Sequence, residues 1–199
     1  MDLILWRHAE AHDAEAGQDD MQRALTTRGE KHAARMAVWL DRQLPDGVRI
    51  FSSPAVRAEQ TVRALGRRYK VRDALSPGAS VDDLLETAGW PHAKYPVVLV
   101  GHQPALGAVA SRLLQMGESA CPVRKGAVWW LRNRADRVID IPAGTFDHGL
   151  TRNLGIEHAQ GVQRKMGALH KAPLASRADF DKLSLSGVGE WGTHNARSS

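Results

Sequence analysis

Two histidines and two arginines in this chain stand where apolar runs stop. Arg7 and His8 follow "LILW", Arg57 comes shortly after "VRIFSSP", and His102 with Gln103 follows "VVLVG". Apolar residues that run unbroken and then end at polar ones have the pattern of strands buried in a parallel sheet. Each of these groups is therefore expected at the carboxyl end of a strand. Open α/β sheets bind ligands along that edge, and the free N–H groups of the helices that follow favour anions. Arg7, His8, Arg57 and His102 would form a cationic pocket for a dianion there, since a guanidinium fork engages two phosphate oxygens at once.

The segments between these residues must position them. "LTTRGEKHAARMAVWLDRQL" reads as a helix, with Thr27 and Glu30 at capping-box spacing and Ala33, Met36, Ala37, Leu40 and Leu44 on one face. Ser53 is placed to cap a second helix that starts at Pro54 and runs through "AVRAEQTVRALGRRY". "YKVRDAL" has the pattern of a short strand and "SVDDLLETAG" that of a short helix. "YPVVLVGHQPALGAVASRLLQMG" gives a Val-rich strand, a turn at Gly101 to Gln103 and a helix opening with Pro104. "GAVWWLRN" and "RVIDI" close the series as antiparallel neighbours. Strands alternating with helices predict an α/β fold with a mostly parallel sheet. From about residue 143 the periodicity ends, and residues 143–199 mix Gly, His, Ser and charge as a loosely ordered or disordered C-terminal extension would.

A chain of 199 residues, 43% hydrophobic and 25% charged, can bury one sizeable core and fits one domain over residues 1–142 plus that extension. A formal net charge of +5 favours anionic partners without choosing among them. The single cysteine, Cys121, rules out an intramolecular disulfide and is expected to pack in the core. No apolar stretch approaches the roughly 20 residues of a membrane helix. A strand beginning at residue 2 leaves no room for a signal peptide, so a cytoplasmic protein without membrane contact is expected.

"LWRHAEA", "LTTRG", "SSPAVRAEQT" and "VVLVGHQP", in this order, resemble the histidine phosphatase superfamily, and within it the short SixA-like phosphohistidine phosphatases. The resemblance covers roughly residues 1 to 140. It implies a single-domain, three-layer α/β/α fold of the phosphoglycerate mutase type. It also implies His8 as nucleophile, with Arg7, Arg57 and His102 as its catalytic and phosphate-binding partners; Gln103 is a further substrate-binding candidate. Two departures from the family pattern stand out. Ala9 replaces the glycine that usually follows the nucleophile, which matters only if that position needs positive φ. The carboxylate general acid of the larger branches has no assigned counterpart, and the middle region offers only Asp82, Asp83 and Glu86.

The chemistry follows from the residue types. A neutral imidazole whose second nitrogen is held by a hydrogen bond presents a lone pair, so His8 can attack phosphorus and carry the phosphoryl group until water removes it. Arg7, Arg57 and, when protonated, His102 meet the charge on the transferring oxygens, without metal or other cofactor. An alkoxide leaving group needs a proton donor, whereas the imidazole of phosphohistidine can leave already protonated. The expected substrate is thus phosphohistidine on a protein or a small activated phosphate. The alternatives are a broad phosphomonoesterase or sugar-phosphate phosphatase, and a weakly catalytic module that binds phosphorylated proteins.

Other features have plainer explanations. "HAEAH" sets His8 and His12 four apart, but the segment leaves a strand rather than lying on a metal-binding helix. Trp129 and Trp130 beside Arg124, Lys125, Arg132 and Arg134 resemble a nucleic-acid face, yet adjacent strand residues point to opposite sides, so one tryptophan is assigned to the core and no nucleic-acid partner is expected. "GRRYKVR" reads as a solvated basic face, and His32 and His92 as surface residues.

Overall fold

The structure, a computed structural model, describes residues 1–140 apart from 118, 135 and 136. The expected extension over residues 143–199 lies outside the described residues. Six strands form one sheet in the order β3-β2-β4-β1-β5-β6: β1 (Asp2–Arg7), β2 (Arg49–Ser52), β3 (Lys70–Val71), β4 (Val97–Gly101), β5 (Val128–Arg134) and β6 (Arg137–Asp140). The first four are parallel, while β5 and β6 run antiparallel to their neighbours. The helices are α1 (Thr27–Gln43), α2 (Val56–Arg63), α3 (Val81–Ala88) and α4 (Ala105–Leu113). This is the three-layer α/β/α arrangement of the phosphoglycerate mutase type.

Alternation along each strand divides the core in two. Ile4, Trp6, Val98, Val100 and Trp130 pack under α1 and α2, against Met36, Leu40, Ala58 and Val62. Leu3, Leu5, Phe51, Val97, Leu99 and Trp129 pack under α3 and α4, against Leu84, Leu106 and Val109. Both tryptophans are therefore buried, Trp129 on one face and Trp130 on the other, because the sheet is covered on both sides at β5. This corrects the assignment of only one of them to the core.

Three local expectations shift. Helix α1 is capped by Thr26, whose Oγ1 accepts the Gly29 N–H at 2.9 Å, so Thr27 and Glu30 form no capping box. The register is set by Gly29, whose hydrogen faces the Glu10 carbonyl so closely that a Cβ would sit 2.0 Å from it. Helix α2 begins at Val56 rather than Pro54 and stops at Arg63 rather than Tyr69. Its end is set by Gly66, at φ 68 in the left-handed region that glycine adopts at little cost. His32 is half-buried rather than a surface residue.

The central strands carry the site, so their packing sets its rigidity. Leu99, fully buried in β4, is the direct probe: Leu99→Ala is expected to cost about 2–5 kcal/mol of folding stability. Urea denaturation measures this, and a loss under about 1 kcal/mol would contradict the packing described.

Candidate active site

Strands β2, β4 and β1 are adjacent, and they end at one level. Arg7 pairs with Gly101, while Ser52 and Trp6 both pair with Val100. The ends of β1 and β2 are then fixed by the next residue's backbone: His8 N–H donates to the Gly101 carbonyl at 3.1 Å and Ser53 N–H to the Val100 carbonyl at 2.9 Å. On the far side of β1 the Gly126 N–H donates to the carbonyls of Arg7 and His8 at 3.1 and 2.9 Å. Gly126 has φ 77, and a Cβ there would lie 2.6 Å from the His32 ring, so this brace requires glycine.

His8 is buried, and its Nδ1–H donates to the Ala9 carbonyl at 2.7 Å. The lone pair therefore lies on Nε2. Ala9 N–H donates to Thr61 Oγ1 at 3.0 Å, and Thr61 in turn donates to the Arg57 carbonyl at 2.7 Å, which ties the His8 segment to helix α2. His102 lies beside His8 with ring centroids 5.2 Å apart. Arg57 donates from one terminal nitrogen to His102 Nδ1 at 3.4 Å, so the ring proton is on Nε2 and is donated to Ser53 Oγ at 2.7 Å. Arg7 donates to the Val123 carbonyl at 2.6 Å. The Nε atoms of Arg7 and Arg57 are buried and find no hydrogen-bond partner among the described residues.

Burial is the main influence on both imidazoles. His8 is pushed down to about 4 by desolvation, against a pull upward from the Ala9 carbonyl, with Arg57, Arg7 and Lys125 lowering it further. His102 is pushed down to about 3 by desolvation, by His8 and by Arg57, with Asp20 pulling the other way. Both rings are neutral at pH 7. For His8 that suits a nucleophile. For His102 the protonated form needs a further negative charge nearby.

Arg7, His8, Arg57 and His102 thus come together at one sheet edge. Gln103 does not join them: its amide nitrogen donates to the Cys121 carbonyl at 2.8 Å, beside Gly107. Asp82 is exposed and paired with Arg112, Asp83 caps α3 by hydrogen bonding Ser80, and Glu86 is exposed. Ala9 keeps an ordinary φ, since Gln115 is the one non-glycine residue with positive φ among the described residues. His12 is exposed, and no group of three His, Cys, Asp or Glu is placed to hold a metal among the described residues.

Sequence reasoning missed three groups. Ser53 caps no helix; it accepts the Ala55 N–H at 3.2 Å and holds His102. Thr61, four residues after Arg57 and so on the same helix face, had a readable spacing. Asp20 had none: it comes from the aperiodic segment before α1 and pairs with Arg57 at 2.8 Å.

Residues 3–79 match the family model of the histidine phosphatase superfamily, branch 1. An uncharacterised protein of Picosynechococcus sp. is 34% identical over 149 residues, 69% of this chain and 88% of that one. The chain belongs to the histidine phosphatase superfamily. Among solved structures it is similar to a protein of Agrobacterium tumefaciens assigned as the phosphohistidine phosphatase SixA, at 27% identity and TM-score 0.59 over 70% of this chain and 94% of that one. It is also similar to the protein histidine phosphatase SixA complexed with tungstate, at 26% identity and TM-score 0.58 over 71% and 94%. As a member of this superfamily with a SixA-like fold, the chain is a phosphatase. No helix among its described residues is long and apolar enough to cross a membrane.

The depressed histidines make a testable statement. In an NMR titration, His8 and His102 are expected to stay neutral at pH 5.5. Because the unfolded chain takes up these protons near 6.5 and the folded chain only near 4 and 3, folding stability should fall as pH drops below about 6.5. Protonation of His8 with a midpoint near 6.5 would contradict the burial described.

Proposed function

We propose that this phosphatase hydrolyses phosphohistidine, or another small activated phosphate, through a covalent phosphohistidine intermediate on His8. The observation that carries the reading is the pairing of a neutral, Nε2-basic His8 with the buried Arg57 and the half-buried Arg7, whose buried Nε–H groups lack acceptors among the described residues. A buried donor without an acceptor is costly, and a phosphoryl group supplies several acceptors and the charge that two guanidiniums need.

In the first step the His8 Nε2 lone pair forms a bond to phosphorus as the bond to the leaving group breaks. Arg7 and Arg57 meet the charge on the equatorial oxygens. The dianion between them also favours the imidazolium form of His102, which then adds a third cation. In the second step water attacks phosphorus, the bond to His8 breaks, and orthophosphate leaves with the ring neutral again. Asp82 pairs with Arg112, Asp83 caps α3 and Glu86 is exposed, and Asp20, the carboxylate at the site, is held ionised against the upward push of burial by its hydrogen bonds from Arg23 and Arg57, which supports a leaving group that needs no strong general acid. The imidazole of phosphohistidine meets that requirement, because its second nitrogen can carry a proton before the bond breaks. A sugar alkoxide does not.

Turnover of phosphoimidazole or a phosphohistidine peptide, an aryl phosphate and a sugar phosphate, each with and without EDTA, tests this reading. The first two substrates are expected to exceed the sugar phosphate by at least about 100-fold in kcat/KM, a difference of some 3 kcal/mol in barrier, and EDTA should change nothing. Comparable rates on the sugar phosphate would favour the broad phosphomonoesterase, and binding without turnover would favour the phosphoprotein-binding module. Residues 143–199 are proposed to lie outside this chemistry, so a chain ending at residue 142 should keep the aryl phosphate activity.

A further inference from the structure

The carboxylate at the mouth of the site is divided between two arginines. Asp20 Oδ2 accepts from Arg57 at 2.8 Å, and its backbone carbonyl accepts from the other terminal nitrogen of Arg57 at 2.6 Å. Its Oδ1 accepts from Arg23, at 2.8 Å from Nε and 2.7 Å from a terminal nitrogen. The three side chains differ in freedom: Arg57 is 3% exposed, Arg23 18% and Asp20 50%. Arg23 is also anchored, donating to the His12 carbonyl at 2.7 Å. The buried partner is thus fixed, the rim carboxylate is able to move, and a second cation already holds half of it.

We infer that Asp20 is a displaceable internal anion, which occupies Arg57 until a substrate phosphoryl group takes its place and then rests on Arg23 alone. This rests on the phosphate-binding role proposed above for Arg57. The Arg57 terminal nitrogen that serves Asp20 is the one that faces His102, so a phosphoryl oxygen placed between the arginines and the histidines needs the same donor. A carboxylate and a phosphate dianion on one guanidinium repel each other, and of the two the dianion gains more from Arg7, Arg57 and His102 together. The exchange is inexpensive because Asp20 stays paired throughout. It also sets a threshold: a monoanion merely replaces one unit charge by another on Arg57, whereas a dianion gains. Asp20 is therefore a specificity-determining residue that favours terminal phosphoryl groups over diesters and other singly charged ligands.

The competition predicts opposite signs at neighbouring positions. Calorimetric titration of orthophosphate into the full chain is compared for wild type, Asp20→Asn, Arg23→Ala and the double variant. Asp20→Asn should bind several-fold more tightly, although it removes an ion pair. Arg23→Ala, which leaves Asp20 with Arg57 as its sole ionic partner among the described residues, should bind several-fold more weakly. In the double variant the Arg23 effect should vanish, since it acts through Asp20. A role for Asp20 in merely holding Arg57 in place gives the reverse result, weaker binding in Asp20→Asn, and that or an unchanged affinity overturns the inference. Because Asp20→Asn is isosteric and half-exposed, it tests the inference even if Arg23→Ala does not fold. Orthophosphate that binds none of the four proteins would overturn the phosphate-site reading itself, and the inference with it.

Discussion

Holding the buried Arg57 and the half-buried Arg7 beside two buried imidazoles is the constraint on which this site turns. Arginine does not escape by losing its proton, so a buried arginine must be met by anions or carbonyls. Here the chain meets Arg7 with the Val123 carbonyl and Arg57 with the carbonyl and carboxylate of Asp20. It stops short of satisfying them, since the Nε–H groups have no acceptors among the described residues. The histidines give way instead: desolvation and the two positive charges hold both rings neutral. Burial first, and the positive charge after it, thus keep His8 a base-form nucleophile, and that same charge leaves a demand for an anion at the same point.

The sheet makes that arrangement possible. Three adjacent strands end at one level, and the residues after β1 and β2, His8 and Ser53, are locked to β4 by backbone hydrogen bonds, so side chains from positions 7, 8, 53 and 102 converge at strand ends. The helix layers fix the remaining member. Arg57 sits in the first turn of α2, whose Ala58 and Val62 are buried on the sheet, and Thr61 ties that turn to the His8 segment. Structural and chemical demands are joined at Gly126 as well, which braces β1 from the opposite side at a conformation and a clearance that only glycine meets.

How much of this was legible follows from where the information lies. Strands β1 and β4 are buried on both faces, so they read as unbroken apolar runs, and their abrupt ends pointed to Arg7, His8 and His102. Helix α1 was visible from its apolar face, but its cap was misread by one residue, since Thr26 and Thr27 are equally good caps and the contact of Gly29 with Glu10 decides between them. Helix α2 was read as too long because Arg67 and Arg68 continue a helical pattern past Gly66, where the backbone turns left-handed. Asp20 was invisible in principle: its segment has no period, and its role arises from a long-range contact with Arg57. The resemblance to known motifs placed the four central residues in roles that spacing alone would have left open.

The central claim is that His8 carries the phosphoryl group, and trapping the intermediate tests it most directly. The protein is mixed with an aryl phosphate, quenched in alkali and mapped by phosphorus NMR and mass spectrometry. The expected result is an acid-labile, base-stable phosphoryl group on His8 Nε2, absent from His8→Ala, which should have lost turnover. A phosphoryl group on another residue, or full turnover in His8→Ala, would contradict it.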